Sequence, residues 1–128
     1  MRFNLTKIRL VFISVLLLLT FQNCFAEGKL MDSTPKDNAV VSSFDNKVTL
    51  AFSGNVSERS PTLVVLDSTG KRVNNQDVTL TIGDRSILTT STGNLAPGRY
   101  VVRYRVVTED GLVVSGITRF VTKGEKND

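Results

Sequence analysis

The sequence predicts an all-β protein, a single immunoglobulin-like antiparallel sandwich of seven strands. Three observations predict it. Apolar residues alternate with polar ones in short runs, as at Val48, Leu50 and Phe52 against Lys47, Thr49 and Ala51, the period of two that a half-buried strand requires. Turn-forming clusters separate the runs at close spacing. No run outside the first twenty-six residues shows the 3.6-residue repeat of an amphipathic helix.

Taken in order, the chain opens with Arg2, Lys7 and Arg9, then the apolar run Leu10 to Leu19 and a short polar segment ending at Ala26. This is the pattern of a secretory signal peptide, and the apolar run is shorter than the roughly 20 residues a spanning helix needs. Cleavage after Ala26 removes residues 1–26, Cys24 included, and leaves a chain starting at Glu27. The rival reading makes Cys24 a lipid-modified anchor, although Phe21, Gln22 and Asn23 before it are bulky for that signal. Residues 27–122 form one domain of ordinary size, and the polar segment 123–128 is a disordered tail.

The full chain carries a net charge of +4. The leader contributes three basic residues and no acidic one, so the exported part has 13 basic against 12 acidic residues. The high isoelectric point therefore belongs to targeting and does not argue for a nucleic-acid partner. With Cys24 gone, no disulfide framework remains.

Leu30 to Ser33 reads as a short extended start. Thr34-Pro35-Lys36-Asp37-Asn38 is a turn cluster in which Asp and Asn bond local backbone. The strand at residues 47–52 ends at Ser53-Gly54-Asn55. Leu63 to Leu66 is continuously apolar, as expected of a strand buried on both sides or passing from edge to core, and Asp67-Ser68-Thr69-Gly70 closes it. Val78, Leu80 and Ile82 alternate, and Gly83-Asp84 is a two-residue hairpin candidate before Ile87 to Thr90.

Leu95 to Phe120 is the most informative stretch. Tyr100, Val102, Tyr104 and Val106 share one face, and Arg99, Arg103 and Arg105 fall on the other. Pro97-Gly98 turns the chain in, and Asp110-Gly111 turns it back. The expected core is Val48, Leu50, Phe52, Leu63, Val65, Leu80, Ile82, Tyr100, Val102, Tyr104, Val114 and Phe120.

The chain has no His, which removes histidine-dependent nucleophilic catalysis, His-based metal sites and the usual neutral-pH general base. No phosphate-binding glycine loop replaces them. Glu109 and Asp110 are adjacent and point to opposite faces of an extended chain, so they form no acid and base pair. A non-enzymatic role is expected.

Several residues then carry a resemblance: Leu95-Ala96-Pro97-Gly98-Arg99-Tyr100, the run Val106 to Gly111, Ser115-Gly116 and Phe120, with the opening Ser33 to Val40 and the strand Val48 to Phe52. Together they resemble the copper-resistance protein C (CopC) family over essentially all of residues 27–121. The resemblance implies a seven-stranded Greek-key sandwich in the periplasm that binds copper as Cu(II) beside an inner-membrane, CopD-like copper transporter. It also implies a metal site at the mature N-terminus and the last hairpin, where family members carry His and Asp-Gly-His. Here those positions are Glu27 and Asp110-Gly111-Leu112. The family ligands that remain are Asp110 and the amine of Glu27, and Met31 is the only Met after the leader, so the family's methionine-rich Cu(I) loop is missing.

Each feature also has a plainer reading. Asp110 serves as turn chemistry, and Glu27 as a solvated terminus. Arg99, Arg103 and Arg105 protect a solvated edge or meet an acidic partner. Leu112 and Val113 form an exposed end of the hairpin or a small contact patch. The alternative function is a metal-free interaction module on the same scaffold, working as a monomer.

Overall fold

The computed structural model describes residues 28–123. The leader, Cys24, Glu27 and the tail beyond Lys123 lie outside the described residues. Eight strands form: β1 Leu30–Thr34, β2 Ala39–Val41, β3 Lys47–Phe52, β4 Thr62–Leu66, β5 Thr79–Ile82, β6 Ser86–Ser91, β7 Gly98–Val107 and β8 Val113–Thr122. They make two four-stranded sheets, ordered β1-β3-β6-β5 and β2-β8-β7-β4. The expected sandwich is present. The strand beyond the seven is β2, three residues paired parallel to β8, too short to show a period in the sequence.

Only β5–β6 and β7–β8 are hairpins within a sheet; every other connection crosses between the two. The core therefore lies between the sheets. Val48, Leu50, Phe52, Leu63, Val65, Tyr100, Val102 and Phe120 are buried there, as the alternation predicts, together with Val56, Leu88 and Val106. Removing each large aliphatic or aromatic side chain from water contributes about 1.5–3 kcal/mol, against the entropy of ordering the chain. Tyr104, Leu80 and Val114 pack on the periphery of this cluster.

Ile82 corrects the expected core. It is 46% exposed, because β5 is the outer strand of its sheet and pairs only with β6. The Gly83-Asp84 turn is also longer than expected: Ile82 pairs with Ser86, so residues 83–85 make a three-residue loop. The Leu63–Leu66 run resolves as an edge strand with Leu63 and Val65 buried and Val64 and Leu66 half-buried. The cluster at Thr34–Asn38 does turn the chain, through a cis Thr34–Pro35 bond and a positive φ at Asn38. Asp37, however, accepts from the amide of Arg119 at 3.0 Å and so ties the turn to β8, where local backbone bonding was expected.

Aromatic side chains pack both within one sheet and between the two. Phe120 stacks between Phe44 and Tyr100, with centroid separations of 5.3 and 5.5 Å, and Phe52 meets Tyr104 edge-on at 5.4 Å. The Tyr100 hydroxyl donates to the Ala96 carbonyl at 2.6 Å, which satisfies the polar tip of a core residue. Burial, with Asp67 adding to it, raises the Tyr100 phenol pKa.

Candidate functional site

The end of the sandwich at which β7 turns into β8 holds Asp110, the residue for which the resemblance implies a metal-ligand role. Val107 and Val113 are the last paired residues, and Thr108 to Leu112 make the turn. Thr108 organises it. Its amide donates to the Leu112 carbonyl at 2.8 Å, and its hydroxyl oxygen accepts from the Leu112 amide at 3.0 Å. The Gly111 amide donates back to the Thr108 carbonyl at 3.0 Å. Gly111 has a φ of 87°, a left-handed conformation in which a side chain is strained, so the glycine is required by the turn itself.

Asp110 is exposed at the tip. Its Oδ1 accepts from the Thr108 hydroxyl in a short hydrogen bond. That bond engages the carboxylate in the local turn through a side-chain hydroxyl, where bonding to local backbone was expected. Leu112 and Val113, beside it, are 56% and 49% exposed, as expected if the hairpin projects.

The first described residues enter at the same place. Gly28 is buried, and its amide donates to the Ser53 carbonyl at 2.9 Å. A Cβ on Gly28 would sit 2.5 Å from Cγ2 of Thr108 and 3.2 Å from Cγ2 of Val114, so only glycine lets the chain pass so close. Glu27 lies outside the described residues, yet its neighbour Gly28 is packed on the residue that holds Asp110. Thr108 and Gly28 were not singled out in the sequence. The Thr-x-Asp spacing was the available signal for Thr108.

Among the described residues, no three His, Cys, Asp or Glu side chains cluster closely enough to hold a metal ion. Cu(II) favours imidazole and amine nitrogens in a tetragonal arrangement. A single exposed carboxylate between a threonine hydroxyl and an exposed leucine does not provide that donor set, so the described residues do not fit a Cu(II) site.

The CopC domain family model matches residues 30–123, nearly all of the described sandwich. The chain belongs to the CopC domain family. Among solved structures, the sandwich is similar to that of CopC from Methylosinus trichosporium OB3b, at 32% identity and a TM-score of 0.69 over 79% of this chain and 98% of that one. PcoC, a methionine-rich copper resistance protein from Escherichia coli, shares the fold at 22% identity and a TM-score of 0.63, covering 77% of this chain and 100% of that one. No curated protein sequence matches the chain. Within this CopC domain, no helix of the described residues is long and apolar enough to cross a membrane.

Proposed function

We propose that this CopC-domain protein is exported to the periplasm and serves the copper handling of its family without an intact Cu(II) site of its own. Membership of the family supports the first half of this reading. The observation that carries the second half is the Asp110-Gly111-Leu112 turn. It keeps the Asp-Gly of the Asp-Gly-His that the resemblance implies and has Leu112, an exposed apolar side chain, at the sequence position of the His. With no His anywhere in the chain, the ligands left are the Asp110 carboxylate and, after cleavage at Ala26, the amine of Glu27. That pair is a weak Cu(II) ligand set. The role is non-catalytic, and an inner-membrane copper transporter is the expected partner.

The test is competitive titration of the exported protein with Cu(II) against a chelator of known affinity, after mass spectrometry of its N-terminus. Binding no tighter than micromolar is expected, with no change on Asp110→Ala. Stoichiometric nanomolar binding that Asp110→Ala abolishes would overturn the reading and make Asp110 and the terminal amine true ligands.

A further inference from the structure

The arginines of β7 do not protect an edge. In the sheet β2-β8-β7-β4, β7 is an interior strand with β8 on one side and β4 on the other, so the edge-protection reading of Arg99, Arg103 and Arg105 fails. All three are exposed on the outer face of the sheet, and Arg119 on β8 joins them.

The register fixes how they are arranged. Arg99 lies opposite Val121, and Arg119 opposite Val101, which has Leu66 on its other side. Arg103 lies between Val64 and Ile117, and Arg105 between Thr62 and Ser115. Four successive rows across the strands thus hold one guanidinium each, and no row holds a carboxylate. Among the described residues, none of the four guanidinium groups has an ion pair or hydrogen bond. Arg103 and Arg105 are about 6.7 Å apart along the strand, close enough to repel each other in the absence of an anion.

The other sheet shows that this charge is segregated and not a general property of the surface. Its outer face carries a row of Thr34, Thr49, Thr89 and Thr79 across all four strands. The exported chain has nearly balanced charge overall, so four unpaired arginines on one face mark a local field.

Between the arginines lie two open troughs. One, of about 570 Å³, is floored by Val64, Leu66 and Ile117 beside Arg103 and Arg105. The other, of about 500 Å³, lies beside Arg99 and Arg119, with Val101 and Val121, and is also lined by one carboxylate, Asp67, so the trough beside Arg103 and Arg105 is the purely basic one. We propose that this face is the docking surface for an acidic segment of a protein partner, with Arg99, Arg103, Arg105 and Arg119 gripping its carboxylates and the troughs receiving its aliphatic side chains.

Guanidinium forks match carboxylates with two parallel hydrogen bonds, and like-signed rows exclude basic partners. The rows described carry no Lys and no Trp, their valines are mostly half-buried between the arginines, and Ile117 is their one exposed large apolar side chain. Insertion into a lipid surface relies on projecting aromatic and leucine side chains, which favours a protein over a membrane. The proposal does not depend on whether copper binds.

The test is an isotope-edited NMR titration of the exported protein with a synthetic ten-residue peptide alternating Glu and Val. A Gln-Val peptide serves as the neutral control, and phosphatidylglycerol vesicles as a separate arm. Saturable shifts confined to β4, β7 and β8 are expected, with affinity falling about tenfold on raising salt from low to several hundred millimolar. Arg103→Glu with Arg105→Glu should weaken binding at least about tenfold at unchanged melting temperature. If that pair disturbs folding, Arg103→Gln with Arg105→Gln should still weaken it several-fold. Absence of peptide binding, equal binding of the Gln-Val peptide, shifts mapping to the threonine face, or binding to the vesicles alone would each overturn the proposal.

Discussion

Gly116 shows how one missing side chain fixes a local arrangement. It sits in β8 opposite Tyr104, and a Cβ there would fall 2.4 Å from the tyrosine hydroxyl oxygen, 2.7 Å from Cζ and 3.1 Å from Cε1. The ring thus lies across the glycine, a cross-strand arrangement that shields a bare backbone. Tyr104 cannot easily give way, because its other contact is the edge-on packing against buried Phe52. Gly116→Ala should therefore destabilise by about 1–3 kcal/mol, the usual cost of forced overpacking. Tyr104→Phe should not relieve it, since Cζ and Cε1 remain in the way, whereas Tyr104→Leu should make the alanine nearly neutral. Denaturant unfolding of Gly116→Ala, Tyr104→Phe, Tyr104→Leu and the two double variants measures this, and strict additivity of Gly116→Ala with Tyr104→Leu would sink the account.

At the scale of elements, the least legible part of the chain proves to hold the open side of the sandwich. Residues 71–77 lie within the 67–78 connection from β4 to β5 and contain the isolated bridges of Arg72 with Leu66 and Asn74 with Thr92. Asn74, 8% exposed, accepts from the Val65 amide at 3.0 Å and donates to the Leu63 carbonyl at 3.0 Å and the Thr90 hydroxyl at 3.1 Å. One amide thus caps the free edge of β4 and joins it to β6 in the opposite sheet. Asn74→Ala leaves buried backbone groups without partners, and a loss of about 1–3 kcal/mol is expected. Asn74→Asp should recover less than half, since it keeps the acceptor and loses both donors. Equal stability of Asn74→Ala and the parent in chemical denaturation would contradict this role. The contrast with β7 explains what could be read beforehand. Tyr100, Val102 and Val106 declare their face by alternation, and Asp110-Gly111 declares its turn by composition. Asn74 gives no signal, because its partners at Leu63, Val65 and Thr90 lie 9 to 16 residues away and are brought together only by the crossing of the sheets. Ile82 was misjudged for a related reason: alternation identifies a face, but the order of strands decides whether anything covers it. The turn was half legible, since Asp110-Gly111 was readable from composition and the Thr-x-Asp spacing pointed to Thr108, while Gly28, brought against Thr108 only by the fold, gave no signal.

For the whole molecule, the chemistry of its titrating groups sets a distinctive response to pH. The chain contains no His, so no side chain of ordinary pKa changes charge between about pH 5.5 and 8. Two carboxylates are held low. Asp67 is lowered first by the Thr69 hydroxyl and then by the Lys71 amide, and Asp77 first by the Ser91 hydroxyl, then by the Ser91 amide and the Thr90 hydroxyl. They sit near opposite ends of the 67–78 connection, Asp67 closing its turn and Asp77 tying it to β6. A carboxylate whose folded pKa lies below its unfolded value contributes stability that is fully present above the unfolded value, here 3.8. That contribution is lost as pH falls through the lower folded values. The denaturation midpoint should therefore be flat from about pH 6 to 8 and decline only in the acid range. Asp77 is exposed and Asp67 only half-buried, so added salt should shrink the decline. Asp67→Asn with Asp77→Asn keeps the side-chain size and one acceptor on each residue. It should lower the neutral-pH midpoint and flatten the acid limb, because the charge-dependent part of both clamps has been removed. A stability step near pH 6.5, or an acid limb as steep in the double variant as in the parent, would show that the pH response arises elsewhere in the molecule.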